Sequence, residues 1–183
     1  MVVQTPPVTT TEFEQLLMLP GNSERRLELV RGEIVEKVTT ELHAFIAHFI
    51  HGFLFMFLRE HPIGRALIEA RYQLPHDKDN SVIPDISFVA GTERPIVTVG
   101  PLAFMPDLAI EIQSPGQSDK FMAEKAKYYL ANGSRMVWLV YSTKRLIEVL
   151  TPTDRHLLTE HNMLDGGEAL PGFTLRVGEV FPA

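Results

Sequence analysis

The sequence predicts a single α/β domain with a largely antiparallel or mixed sheet. Three observations carry that reading. Short alternating apolar runs of strand length recur along most of the 183 residues, two segments have a helical period, and no repeat, low-complexity block or linker divides the chain. Residues 1–20 read as a flexible N-terminus with a short helix, and 21–183 as one domain. Apolar content of 45% is enough for that domain to build a sizeable core.

The elements follow in order. Residues 1–10 carry paired prolines and no apolar period, so they are expected to be disordered. Thr11 with Glu14 fits a capping box that opens a helix running to about Met18. In RLELVRGEIVEKV, Arg31-Gly32 separates two alternating segments, which predicts a hairpin. A long apolar helix is expected from Thr40 to Glu60, ended by His61-Pro62-Ile63-Gly64. ALIEARYQLP and SVIPDISFVA read as strands around an exposed HDKDN turn, and DLAIEIQ as another. Ser118 or Asp119 caps a helix that Asn132-Gly133 ends. RMVWLVYS, RLIEVLTP and RHLLTEH read as strands, with a final one at 173–177.

Several functions are disfavoured at once. Without cysteine there is no disulfide framework, thiolate zinc site or thiol nucleophile, a usage compatible with the cytoplasm. MVVQTPPVTT lacks the basic and apolar regions of a signal peptide. AFIAHFIHGFLFMFL is apolar but shorter than the roughly 20 residues a bilayer span needs, so the expectation is a core or interface helix and no membrane association. A net charge of −6 argues against a general nucleic-acid binder, though not against an enzyme meeting phosphates through a bound metal. No nucleophile elbow, phosphate loop or dinucleotide fingerprint is present.

The chemistry concentrates in two strands and one helix. Asp85 lies among Val82, Ile83, Ile86, Phe88 and Val89, and Glu111 between two isoleucines. Carboxylates in such strands are costly to bury unless paired or bound to a cation. If the strands are neighbours, Asp85, Glu111 and the backbone carbonyl of Ile112 form an oxygen-rich nest for Mg²⁺. An ion there would polarise a phosphodiester and acidify a water. Lys125 shares a helical stripe with Met122 and Tyr129 that faces the sheet, within reach of the site. Asp107 reads as structural and Lys127 as solvated. Glu28 and Glu33 are alternative third carboxylates, and His43 is placed to contact a phosphate or a metal-bound water. His48 and His51 read as core or interface residues, because no third ligand has a diagnostic spacing.

The order ELVRGEIVE, a helix led by His43, PDISFV, PDLAIEIQSP and EKAKYYLANGSRMVWLV resembles a family of restriction-endonuclease-like proteins. That family is assigned to the PD-(D/E)xK nuclease superfamily. The similarity runs from about Glu28 to Leu150 and on to LPGFTLRVGEVF. The resemblance implies an αβββαβ core, with a mixed central sheet flanked by helices and carrying metal-binding carboxylates. Asp85 would be the acid of the PD motif and Glu111 that of the (D/E)xK motif. Gln113 stands where the motif lysine would be; it can orient a water but carries no charge. Lys125 resembles the helix lysine of this family and is expected to supply that charge. Phe121 is a second departure, at a position where relatives carry aspartate.

Two functions follow. The first is a Mg²⁺- or Mn²⁺-dependent endonuclease that hydrolyses DNA, with Asp85 and Glu111 binding metal, Gln113 positioning water and Lys125 stabilising charge. The alternative is an inactive nuclease-fold module that assembles as a homodimer through Phe45, Phe49, Phe53 and Phe57.

Overall fold

Local rules place the first elements. A computed structural model describes residues 6–22 and 24–182. Helix α1 (Thr10–Leu17) begins two residues earlier than expected: Thr9 is the N-cap, and Glu12 closes the capping box on it. The expected disorder of residues 1–10 also needs correction, since Val8 N–H donates to the Gly32 carbonyl and Thr10 N–H to that of Lys78. Residues 1–5 lie outside the described residues. Strands β1 (Leu27–Val30) and β2 (Glu33–Glu36) form the predicted hairpin. Its two turn residues, Arg31 and Gly32, both have positive φ, the backbone that a tight two-residue hairpin requires. Phe13 of α1 packs on Leu27 and Leu29, which joins the N-terminal helix to the inner hairpin strand.

Helix α2 (Glu41–Glu60) is capped by the Thr40 hydroxyl. Strand β3 (Gly64–Ile68) pairs antiparallel with β4 (Ile86–Ala90), and β4 pairs antiparallel with β5 (Leu108–Ile112). Helix α3 (Asp119–Ala131), capped by Ser118, then crosses over to β6 (Met136–Tyr141), which lies parallel to β5. Strands β7 (Leu146–Leu150) and β8 (Arg155–Thr159) add antiparallel pairs, giving a six-stranded mixed sheet in chain order from β3 to β8. A small pair, β9 (Met163–Asp165) and β10 (Thr174–Arg176), ends in a short 3-10 turn. From α2 to β6 the order is αβββαβ. The strand expected from Ala66 to Pro75 stops at Ile68, where Glu69 takes a positive φ and the chain leaves the sheet.

The period of two divides the sheet into two cores. On one face Ile86, Phe88, Leu108, Ile110, Trp138 and Val140 pack with Ile46, Ile50 and Leu54 of α2. On the other, Ala109, Val137, Leu139 and Tyr141 pack with Met122, Ala126 and Tyr129 of α3. Helix α2 has the length and composition to cross a bilayer, yet one side of it is sealed against the sheet. Its other side exposes Phe45, Phe49, Phe55 and Met56. Phe53 and Phe57, expected on the same surface, turn inward instead and pack against the core.

Candidate active site

Strand alternation dictates which side chains can meet. Along β5, residues 108, 110 and 112 face α2, so Glu111 faces α3 with Ala109. On α3 the buried positions are Met122, Lys125, Ala126 and Tyr129, one stripe at helical spacing. Lys125 and Tyr129 therefore point at Glu111. Lys125 Nζ lies 2.6 Å from Glu111 Oε1, and the Tyr129 hydroxyl donates to the same oxygen at 2.7 Å.

The inner hairpin strand supplies the next carboxylate. Glu28 on β1 is fully buried and accepts from Lys125 Nζ on both oxygens, each at 3.0 Å. Its Oε1 also accepts from the Ile83 N–H at 2.6 Å, which ties the hairpin to the segment before β4. Of the two alternatives for a third acid, Glu28 is the one in the cluster. Glu33 lies on the outer strand β2 and is exposed, because β1 alone is buried along its whole length.

Asp85 sits one residue ahead of β4 rather than within it. Its Oδ2 accepts from the Ile112 N–H at 2.7 Å, so the last residue of β5 anchors the carboxylate through backbone. Its Oδ1 accepts from Lys37 Nζ at 2.7 Å. Lys37 Nζ also donates to the Ile83 carbonyl at 2.7 Å and stands 3.7 Å from Glu111 Oε2. The buried His43 of α2 places Nε2 3.3 Å from Asp85 Oδ1, outside hydrogen-bond geometry, so neither ring nitrogen has a hydrogen-bonding partner among the described residues.

Sequence reasoning missed Lys37. EKVTT reads as the hydrophilic end of a hairpin, but pairing continues past β2 through Lys37 N–H to the Arg26 carbonyl. The two-residue period that turns Val35 toward the core then turns Lys37 inward as well, and this was the available signal. The hydroxyl of Tyr129 was missed for another reason: on an apolar stripe a tyrosine reads as packing.

Gln113 is placed differently from expectation. Strand β5 ends at Ile112, and the Gln113 amide donates to the Gln117 carbonyl and to Asp119 Oδ1, both at 3.0 Å. It braces the loop leading into α3 instead of facing Asp85 and Glu111. A cleft of about 240 Å³ opens between that loop and the start of α2, with Thr40, Leu42 and Ser142 in its walls. Asp107 is structural, as expected, with Oδ2 accepting from the Ala90 N–H. Lys127 is exposed.

The electrostatics follow from burial and count. Three carboxylates, Glu28, Asp85 and Glu111, face two ammonium groups, Lys37 and Lys125, which leaves one negative charge in excess when all are ionised. Burial alone would raise Asp85, but the Lys37 charge and neighbouring His43 more than reverse it and hold that carboxyl well below its ordinary range. For Glu111 burial outweighs Lys125 and Lys37, so its carboxyl is raised. Burial would lower Lys37, yet Glu111, Glu28 and Asp85 together raise it. Tyr129 is raised by burial and by the Glu111 anion. A buried site with excess negative charge and oxygen donors favours a hard cation.

Among the described residues, no three Asp, Glu, His or Cys side chains are arranged as a metal-ligand set. Two carboxylates are what Mg²⁺ takes when water and substrate phosphate complete its shell, and of the four oxygens of Asp85 and Glu111 only Glu111 Oε2 makes no hydrogen bond among the described residues.

The fold has a counterpart among solved structures. The crystal structure of a putative nuclease belonging to DUF820 from Anabaena variabilis ATCC 29413 superposes with a TM-score of 0.79 at 24% identity, covering 96% of this chain and 98% of that one. No curated protein matches the chain. The family model described as Uma2, putative restriction endonuclease, matches residues 11–178 and thus all of the cluster. A chain matched over that span, with its carboxylates and lysines gathered at the end of an αβββαβ sheet, belongs to the Uma2 family of restriction-endonuclease-like proteins.

Proposed function

We propose that this chain is a divalent-ion-dependent endonuclease that hydrolyses DNA phosphodiester bonds. The observation that carries the proposal is the burial of Asp85 and Glu111 against two lysines, in a chain of this family. Asp85 and Glu111 would hold Mg²⁺ or Mn²⁺. When bound, such an ion supplies Lewis acidity and an acidified water.

The remaining work falls to the chain. The Ile112 N–H fixes the Asp85 carboxylate, and Lys125 with Tyr129 fixes Glu111 from the α3 side. Lys125 is buried between Glu111 and Glu28 and orients both carboxylates. His43 lies against the Asp85 carboxylate, with Nε2 3.3 Å from Oδ1, and would act on substrate through that carboxylate. The family's description as a restriction endonuclease carries the choice of DNA.

Incubation of supercoiled plasmid with the protein and Mg²⁺ or Mn²⁺ tests this reading, with Asp85→Asn and Glu111→Gln run alongside. Cleavage is expected with the ion and lost in both variants. Full ion-dependent cleavage by either variant would sink the assignment.

We also propose that the chain acts as a homodimer through α2. Phe45 and Phe49 stack at 4.5 Å on its outer side, with Phe55 and Met56 exposed further along. An apolar stripe on a helix whose other side is already packed suits a second copy of the same helix. We read α2 as a packed helix and not a bilayer span, because Ile46, Ile50 and Leu54 are completely enclosed by the sheet.

A further inference from the structure

The Lys37 ammonium lies among three oxygens: Asp85 Oδ1 at 2.7 Å, the Ile83 carbonyl at 2.7 Å and Glu111 Oε2 at 3.7 Å. Two of these belong to the side chains assigned above to the divalent ion. Among the described residues Glu111 Oε2 has no other partner, whereas Oε1 of the same carboxylate is taken by Lys125 and Tyr129. The space between Asp85 and Glu111 therefore already contains a positive charge. An ion entering there meets that charge at contact range, in a setting with little water to screen it.

Lys37 differs from Lys125 in its route to solvent. Lys125 projects from the middle of α3 into a closed interior. Lys37 follows the last residue of β2, and the next two residues, Val38 and Thr39, are exposed. Its four-carbon stem is flexible and rooted at the outer end of the hairpin, so displacing the ammonium asks for a side-chain movement there.

We propose that Lys37 is a resident counter-cation that occupies the divalent-ion position between Asp85 and Glu111 and is displaced when the ion binds. This deepens the nuclease reading and rests on it. Without the ion, Lys37 keeps two buried carboxylates compensated and the apo fold intact. With the ion, the same residue swings toward the outer end of the hairpin. Lys37 thereby sets how much free ion the site requires.

Calorimetric titration of Mn²⁺ into wild-type protein, Lys37→Met and Asp85→Asn tests the proposal without reference to cleavage. Lys37→Met is expected to bind Mn²⁺ about tenfold more tightly or better, because the competing charge is gone, while Asp85→Asn abolishes binding. Equal or weaker binding by Lys37→Met, with loss in Asp85→Asn, would overturn the role of Lys37 and leave the metal site standing. No binding by wild type or Lys37→Met would remove the metal site, and this proposal with it.

Should Lys37→Met fail to fold, amine acylation of the wild type read by peptide mass spectrometry decides the matter. Lys37 should resist labelling without Mn²⁺ and react in its presence, with Lys125 protected in both. Unchanged labelling of Lys37 would overturn the proposal.

Discussion

Lys125 on α3 and Glu28 on β1 are separated by 97 residues in sequence, yet they meet through two 3.0 Å hydrogen bonds with both side chains sealed from solvent. Deleting one partner of such a pair strands the other's charge in the interior. Lys125→Met is expected to lower unfolding free energy by about 3–5 kcal/mol, measured by urea denaturation. Adding Glu28→Gln to it should cost less than the sum of the two single changes, because the second removes a charge the first left unpaired.

Tyr129→Phe removes a single donor from Glu111 Oε1 and leaves Lys125 in place. The expected loss is about 1 kcal/mol by the same denaturation. A neutral result would show that the hydroxyl does not hold Glu111.

The two hairpin acids should separate cleanly. Glu33→Gln, on the exposed outer strand, is expected to stay within about 0.5 kcal/mol of wild type and to leave plasmid cleavage unaltered. Glu28→Gln should lose both stability and cleavage, since its two oxygens hold Lys125 and the Ile83 N–H. Equal behaviour of the two variants would remove Glu28 from the site.

Alkaline pH should unfold the protein through its tyrosines. All four, Tyr72, Tyr128, Tyr129 and Tyr141, are raised above the ordinary value of 10.0, chiefly by burial, and Tyr72 is pushed up to about 12. The folded state holds these protons more tightly than the unfolded chain does. The stabilisation is thus complete below pH 10.0 and is lost as pH rises through the folded values. Folded protein should show little phenolate absorbance at pH 10.0, and unfolding should bring it up at once. Phenolate appearing in the folded state at its ordinary pH would contradict this.

Phe49→Glu places a charge at the centre of the exposed α2 stripe. Sedimentation velocity should report a dimer for the wild type and a monomer for the variant, with circular dichroism unchanged. A wild-type monomer at micromolar concentration would dismiss the interface.

The path of the backbone was largely legible in the sequence because its signals are local. Arg31-Gly32, the caps at Thr40 and Ser118, and the alternation around Ile110 each specify their own element. Glu111 and Lys125 stood out for the same reason: each breaks an apolar pattern that only a partner can excuse. What was not legible depends on distant chain. Lys37 looks solvated until Asp85 is known to lie opposite it. Choosing Glu28 over Glu33 required knowing which hairpin strand faces the sheet. Gln113 looked poised toward the carboxylates, but the end of β5 turns its amide into the loop. The first helix shifted by two residues because two overlapping Thr-x-x-Glu patterns compete there, and the one beginning at Thr9 is used.

The crossover from β5 to β6 has a consequence for synthesis. The site's acids come from chain positions 28, 85 and 111, while the cation that binds the first and last of them comes at 125, on a helix that docks only against the sheet reaching β6. On the ribosome, every acid of the site is therefore translated before the lysine that locks Glu28 to Glu111. The cluster cannot be complete until α3 has docked on the sheet. A polypeptide cut short between Glu111 and Lys125 keeps all three acids but lacks the cation that joins Glu28 to Glu111.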